Sequence, residues 1–246
     1  MLNIIIPMAG GGRRFIESGY VVPKPLIEIQ GRPMIEWVVG NVRPCGEHRF
    51  TFLCRREHLE AFDLRDYLHK IAPHSNIVPV GSLTQGAACT VLLASDYFND
   101  DNELMIVNSD QYVDAEIDPF IEDARHRSLD GSILTFFSDD TKWSFAKTGG
   151  NGFVIEIAEK VPISSHATVG IYYYVAGKDF LRGACSMIEK DIRVKGEFYV
   201  CPVYNEMITQ GHRVGIFEIE ASKMHGLGTP QDLVVFKEYL ANNRNR

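Results

Sequence analysis

An apolar run over residues 3–8 breaks off into three consecutive glycines, Gly10-Gly11-Gly12. The run is short, has no basic leader, and reads as a buried strand rather than a signal peptide. A glycine turn directly after a buried strand lets backbone N–H groups approach a ligand where a Cβ would block them. The turn therefore constrains both the fold and the kind of group that binds there.

Downstream, apolar runs of strand length alternate with helical patterns. Helices are expected over residues 33–42, 57–71, 86–98 and 117–127, and strands over 50–54, 76–80, 104–107 and 132–137. This alternation implies an α/β fold with a mostly parallel sheet covered on both faces. After Asp139 the rhythm changes. Strands are expected over 153–157 and 169–175, joined by a loop with Glu159, Lys160 and Pro162. A helix over 178–190, a polar loop over 194–202, a helix over 203–210 and a strand over 213–218 follow. The last helix, near 230–241, opens on Thr229 as N-cap, Pro230 at its first position and Asp232 three residues past the cap. That spacing gives Asp232 a structural role. No linker or repeat appears, so one domain is expected over 1–246. Three portions are expected within it, a first over about 1–140, a second over about 141–228 and a C-terminal helix over 229–246.

The chain is 45% hydrophobic over 246 residues, enough for one substantial core. A net charge of −7 without a basic run argues against non-specific nucleic-acid binding. The five cysteines, Cys45, Cys54, Cys89, Cys185 and Cys201, contain no C-x-x-C, which argues against a zinc site and fits a reducing compartment. No apolar stretch approaches the roughly 20 residues of a membrane span. A soluble cytoplasmic protein without membrane contact is expected, and a homo-oligomer is left open.

Two cations sharpen the glycine turn. Arg14 follows it directly, and Lys24 lies inside Pro23-Lys24-Pro25-Leu26. Prolines on both sides restrict the backbone around Lys24, unlike that of a casual surface lysine. Fixed cations suit nucleotidyl transfer, in which charge spreads over the α-phosphate and the departing pyrophosphate. The plainer reading is a tight turn with two solvated cations. Neither G-x-x-x-x-G-K-[ST] nor G-x-G-x-x-G fits, because Phe15 stands at the third glycine of the latter. A nicotinamide enzyme is thereby disfavoured.

These segments, with Gly31-Arg32-Pro33-Met34-Ile35, resemble the signature A-G-x-G-x-R-[FL] … P-K-P-[LF] … G-[KR]-P-M-[IL]. It is the signature of the nucleotidyltransferase family of sugar-phosphate pyrophosphorylases, which includes small bacterial cytidylyltransferase-like members. The match is specific over residues 6–35, and weaker matches recur to Leu233. The resemblance implies a Rossmann-like, mixed but mostly parallel sheet flanked by helices. It also implies Arg14 on the triphosphate and Lys24 on the reacting phosphates, these two being the catalytic candidates. Nucleotide binding is assigned to Met8, Ala9, Gly10, Gly11 and Ser109, and to Gln85, Gly86 and Ala87, which open a helix. Gln85 carries both donor and acceptor, as reading a base edge requires. An exposed helix start is the simpler account.

Residues 104–107 form an apolar strand leading to Asn108-Ser109-Asp110. Asp110 suits Mg2+, which takes one or two carboxylates plus phosphate oxygens and water. A turn-forming Asp is the alternative. The family places its metal Asp at the end of this strand. The resemblance also implies Lys160 on the acceptor phosphate, Gly170 where the acceptor approaches backbone, and Glu197 on the sugar. Many members carry a second metal Asp in W-x-D-x-G-T. The matching stretch here is Met224-His225-Gly226-Leu227-Gly228-Thr229, with glycine in its place. His225 is a poor Mg2+ ligand; Asp232 reads as a cap; Glu218 or Glu220 could reach in. Asp110 is expected to be the main protein ligand. Trp143 reads as packing, and His74, His126 and His166 as ordinary loop or surface histidines.

The expected activity is Mg2+-dependent transfer from a nucleoside triphosphate to a small phosphate monoester, a sugar 1-phosphate above others. CTP-dependent transfer to a non-sugar phosphate or phosphonate stays open. From another class, so does a catalytically silent nucleotide-binding regulator, which retention of Arg14, Lys24 and Asp110 together disfavours.

Overall fold

The computed structural model describes residues 1–243. Strand β1 (Leu2–Pro7) passes through the glycine turn into a short helix, α1 (Arg13–Glu17). A small hairpin of β2 (Glu28–Ile29) and β3 (Arg32–Pro33) precedes α2 (Met34–Asn41) and β4 (His48–Arg55). The helix expected over 57–71 is two helices, α3 (Arg56–Ala61) and α4 (Leu64–Ile71). Phe62 takes extended backbone between them and packs against the core that holds Leu64 and Leu68. β5 (Asn76–Val80) and α5 (Ala87–Leu92) follow, and a 3-10 turn at Ser95–Tyr97 takes the rest of the helix expected over 86–98. β6 (Glu103–Val107), β7 (Gln111–Val113), α6 (Asp118–His126) and β8 (Gly131–Phe137) come next.

Strand β9 (Ser144–Thr148), whose polar ends hide it in the sequence, precedes β10 (Val154–Glu159) and β11 (His166–Tyr174). Helices α7 (Gly177–Glu189) and α8 (Val203–Thr209), strands β12 (Val214–Ile219) and β13 (Met224–Gly226), and helix α9 (Pro230–Asn242) complete the chain. Residues 244–246, part of the helix expected over 229–246, lie outside the described residues.

β1 pairs in parallel with β4 on one side and β6 on the other, and β4 pairs in parallel with β5. The strand order β5-β4-β1-β6 puts four carboxyl ends on one edge, where ligands of open α/β sheets bind. β11 then runs antiparallel to β6, β8 and β9, and β12 returns parallel to β8. The sheet is the expected mixed, largely parallel one, with the later strands built into it. Both faces are covered, because successive residues enter opposite cores. Ile4, Ile6, Met105 and Val107 join the core that includes α2, α6 and α9 residues, while Ile5, Leu104 and Ile106 join the one that includes α5, α7 and α8 residues.

Two asparagines finish strand edges with their side chains. Asn205 on α8 accepts from Ile157 N at 2.8 Å and donates to Ile157 O at 2.9 Å, closing part of the ladder on edge strand β10. Asn41 does the same to Val113, at 2.8 Å and 2.6 Å. Trp143 packs edge-on against Phe136, as expected of a packing residue. His166 is in a strand rather than a loop, because β11 starts there, and its Nδ1 meets Glu218 Oε2 at 2.6 Å.

β13 pairs antiparallel with β7, and α9 packs over them through aromatic contacts. The His225 ring lies 4.0 Å from that of Tyr239 and 5.5 Å from that of Phe236. Its Nε2 is buried without a partner among the described residues. Burial holds the His225 imidazolium below its ordinary range, opposed by Asp114. With the folded pKa depressed, the unfolded chain takes up a proton first as pH falls below about 6.5. Stability is then lost from there down through the folded value. We expect His225→Phe to remove this component, so that its melting temperature falls less than the wild type's between pH 7.5 and 5.5. The difference should be on the order of 2–4 °C per kcal/mol of linkage. Parallel melting curves across that interval would count against it.

Candidate active site at the carboxyl edge of the sheet

The site is built on the turn between β6 and β7. Asn108 N donates to Gly170 O at 2.9 Å, and Gln111 Nε2 donates to the same oxygen at 3.1 Å. Gly170 has φ +93°, and β11 shifts register there between Thr168 and Tyr172. A Cβ on Gly170 would run into the side chains of Asn108 and Gln111. Glycine at 170 thus lets two neighbouring strands close on this turn. That is a structural reason for Gly170 beside the acceptor-approach reading, and Asn108 and Gln111 are supports that sequence analysis did not single out.

The turn presents Asp110. Its carbonyl accepts from Leu227 N at 2.7 Å, which ties β13 to it, and its carboxylate meets Lys24. Lys24 Nζ donates to Asp110 Oδ2 at 2.5 Å across 86 residues of sequence. The side chains are 18% and 32% exposed, so water screens the pair less than it does a surface ion pair. Lys24 opens a 3-10 turn behind Pro23, and its stem runs past the glycine loop, with Gly12 against its Cβ. Met8 and Ala9 are buried at the end of β1, whereas Gly10, Gly11 and Arg14 are exposed. Ser109 is half-buried beside Asp110. The loop, Lys24 and Asp110 therefore converge, and Arg14 is exposed on α1.

A second cluster gathers the base and acceptor candidates. Gly86 has φ +131°, and a Cβ there would collide with the backbone of Phe198. That closeness allows two backbone bonds: Phe198 N donates to Gln85 O at 2.8 Å, and Ala88 N donates to Phe198 O at 3.0 Å. Gln85 is exposed and Ala87 half-buried. Beyond Phe198, the Tyr199 hydroxyl accepts from Lys160 Nζ at 2.5 Å, and the ammonium lies 4.3 Å from the Tyr199 ring centroid. Lys160 has φ +60°, uncommon for a residue with a Cβ, and its N–H is held by Trp143 O at 3.0 Å. The Lys160 ammonium also lies 3.8 Å from Glu159, which is buried and hydrogen-bonded by Ser144 Oγ. Burial raises the Glu159 pKa, with Ser144 and Lys160 opposing. Glu197 is exposed next to Phe198. Tyr199 sits inside the segment that carries Glu197, but its contact with Lys160 spans 39 positions and has no local signature.

Of the residues considered as a second carboxylate, Glu218 is engaged by His166, and Glu220 is exposed with Ser222 beside it. His225 lies in the aromatic cluster under α9. Thr229 caps α9 as expected, its Oγ1 accepting from Asp232 N at 3.1 Å. Among the described residues no three His, Cys, Asp or Glu side chains converge as a metal cluster, and no helix is long and apolar enough to cross a membrane.

The chain is similar to a solved nucleoside-diphosphate-sugar pyrophosphorylase from Vibrio cholerae. The TM-score is 0.83 and the identity 26%, over 96% of this chain and 99% of that one. It is also similar to the bifunctional protein GlmU of Thermotoga maritima, at 26% identity over 97% of this chain and 51% of that protein. GlmU of Aquifex aeolicus matches at 28% identity over 97% of this chain and 53% of that protein. The chain thus spans about half the length of these curated relatives. The model of the family described as Nucleotidyl transferase matches residues 3–240, nearly the whole chain and every segment of both clusters. By that match, on a sheet that converges the glycine loop, Lys24 and Asp110 on one edge, the chain belongs to the Nucleotidyl transferase family.

Proposed function

We propose that this protein transfers a nucleotidyl group from a nucleoside triphosphate to the phosphate of a small acceptor, releasing pyrophosphate, and that the acceptor is a sugar 1-phosphate. The observation that carries the reading is the half-buried Lys24–Asp110 pair beneath the glycine loop. The likeness over nearly full length to a nucleoside-diphosphate-sugar pyrophosphorylase supports the acceptor class.

In this reading the backbone of Met8, Ala9, Gly10 and Gly11, with Ser109, receives the triphosphate, and Arg14 closes on it from α1. Gln85, Gly86 and Ala87 receive the base. Lys160 and Glu197 hold the acceptor, with Tyr199 aiming the lysine. Acceptor oxygen attacks the α-phosphorus in line, the bond to the bridging oxygen breaks, and pyrophosphate leaves. Lys24 offsets the charge that grows on these phosphates. No group on the enzyme becomes bonded to substrate, so rate comes from positioning and fixed charge.

Mg2+ is the cofactor in this reading, and the residues fit it. Glycine at 228 leaves a hollow where a Cβ would sit 3.3 Å from Asp110 Oδ2. A hard carboxylate oxygen facing a position without a side chain is the donor chemistry that Mg2+ takes, with phosphate oxygens and water filling its shell. When bound, Mg2+ supplies neutralisation of the triphosphate charge. Asp110 would hold it, and Lys24 would then pass from the carboxylate to the phosphates.

Lys24→Ala is expected to lower pyrophosphate release by about 2–4 kcal/mol of transition-state stabilisation. Arg14→Ala should lower turnover similarly, with a larger effect on nucleotide affinity. Turnover by Lys24→Ala within a few fold of wild type would sink the assignment. The assay needs a panel of nucleoside triphosphates against phosphate monoesters, scored by pyrophosphate.

The acceptor arm is separately testable. Lys160→Ala should raise the KM for the acceptor more than that for the nucleotide, and Tyr199→Phe should do the same to a smaller degree. An unchanged acceptor KM in Lys160→Ala would return that lysine to a structural role on Glu159 and Tyr199.

A further inference from the structure

The cap of α9 uses Asp232 in only one of two ways. Thr229 Oγ1 takes its backbone N–H, at 3.1 Å. In a reciprocal capping box the side chain three residues on would return to the N–H of the cap residue. Here the Asp232 carboxylate does not: among the described residues it accepts no hydrogen bond and meets no cation. It is half-buried and turned across the segment that precedes the helix.

Two glycines lie beside it. A Cβ on Gly226 would lie 3.6 Å from Asp232 Cγ and 3.7 Å from Asp232 Oδ2. A Cβ on Gly228 would lie 3.8 Å from Asp232 Oδ2 and 3.3 Å from Asp110 Oδ2. Carboxylates from two distant elements therefore border one small space. Lys24 compensates only the Asp110 side of it, at 2.5 Å. Two carboxylates and one ammonium leave one uncompensated negative charge, which favours a cation. Their hard oxygens suit a small divalent ion, which binds each oxygen at about 2.0–2.1 Å.

We infer that Asp232 is a metal-ligating residue, and that it forms with Asp110 the carboxylate pair for the divalent cation of this site. The inference rests on the nucleotidyl-transfer reading, which supplies the cation. It revises the expectation that Asp232 serves only as a cap: the backbone of Asp232 starts the helix, and its side chain faces the metal. Gly226 lies in ordinary contact distance of the same carboxylate, since a Cβ there would stand 3.6 Å from Asp232 Cγ.

Mn2+ alone, titrated into the full chain and followed by the electron paramagnetic resonance signal of the free ion, tests the assignment without turnover. The wild type should bind one ion, and Asp232→Asn and Asp110→Asn should each weaken it at least tenfold while keeping the wild-type circular dichroism spectrum. Thr229→Ala removes the cap without touching the carboxylates. It should lower the melting temperature by about 2–4 °C through loss of the N-cap, and keep Mn2+ affinity within about twofold. Adding Gly226→Asp to Asp232→Asn should recover binding, since the new carboxylate starts beside the old one. Wild-type affinity in Asp232→Asn, alongside loss in Asp110→Asn, would overturn the role of Asp232 and leave the nucleotidyl-transfer reading standing. No Mn2+ binding by the wild type would overturn both this inference and the metal component of that reading.

Discussion

The close approach of β11 to the turn after β6 is the constraint on which the site depends. One carbonyl, that of Gly170, takes hydrogen bonds from Asn108 N and Gln111 Nε2, and the missing side chain at 170 leaves space for both residues. A buried backbone oxygen with two donors fixes the turn without help from a ligand. Asp110 is therefore presented in a set direction before anything binds. The Asp110 carbonyl holds Leu227 and so decides where β13 and the start of α9 lie. Asp232, Gly226 and Gly228 are carried to the site by that bond.

A second constraint links the two ends of the proposed reaction. The backbone of Phe198 bonds to both Gln85 and Ala88, so the loop that carries Glu197 and Tyr199 is fastened to the segment proposed to receive the base. Tyr199 in turn engages Lys160. A displacement of the base segment would move Phe198 and then the lysine proposed for the acceptor. The physical carrier of this coupling is short: two backbone hydrogen bonds, one peptide link and one charge-assisted hydrogen bond. The collision that any Cβ at 86 would make with Phe198 explains why glycine serves there, beyond its φ of +131°.

Local pattern carried much of the architecture. Alternation of apolar runs with amphipathic segments was enough for a mostly parallel α/β sheet, because burial on both faces and a helical stripe leave different periods in the chain. The glycines after β1, the prolines around Lys24 and the acidic end of β6 were legible for the same reason: each is a local backbone requirement. The Thr229 cap, with its bond to Asp232 N, was legible too. The break between α3 and α4 was not, since extended Phe62 between them joins a core assembled from distant elements. Strands β7 and β13, three residues each, were also hidden; their pairing depends on a partner more than a hundred positions away.

By itself, then, the sequence determined the alternation of the longer strands and helices, the glycine turn after β1, and which cations and carboxylate lie near these segments in the chain. Tertiary structure alone decided which of these groups meet. Lys24 reaches Asp110 across 86 positions, and Lys160 reaches Tyr199 across 39. Asp232 illustrates the division within one residue. Its backbone role follows from a spacing of three residues, which a helix start dictates wherever it occurs. Its side chain shares the surroundings of Gly228 with Asp110 only because strand register and a hydrogen bond from Leu227 bring that glycine to both. A cap is a short-range bond that local backbone geometry specifies. The meeting of two carboxylates is set by packing of the whole sheet, which no local pattern records.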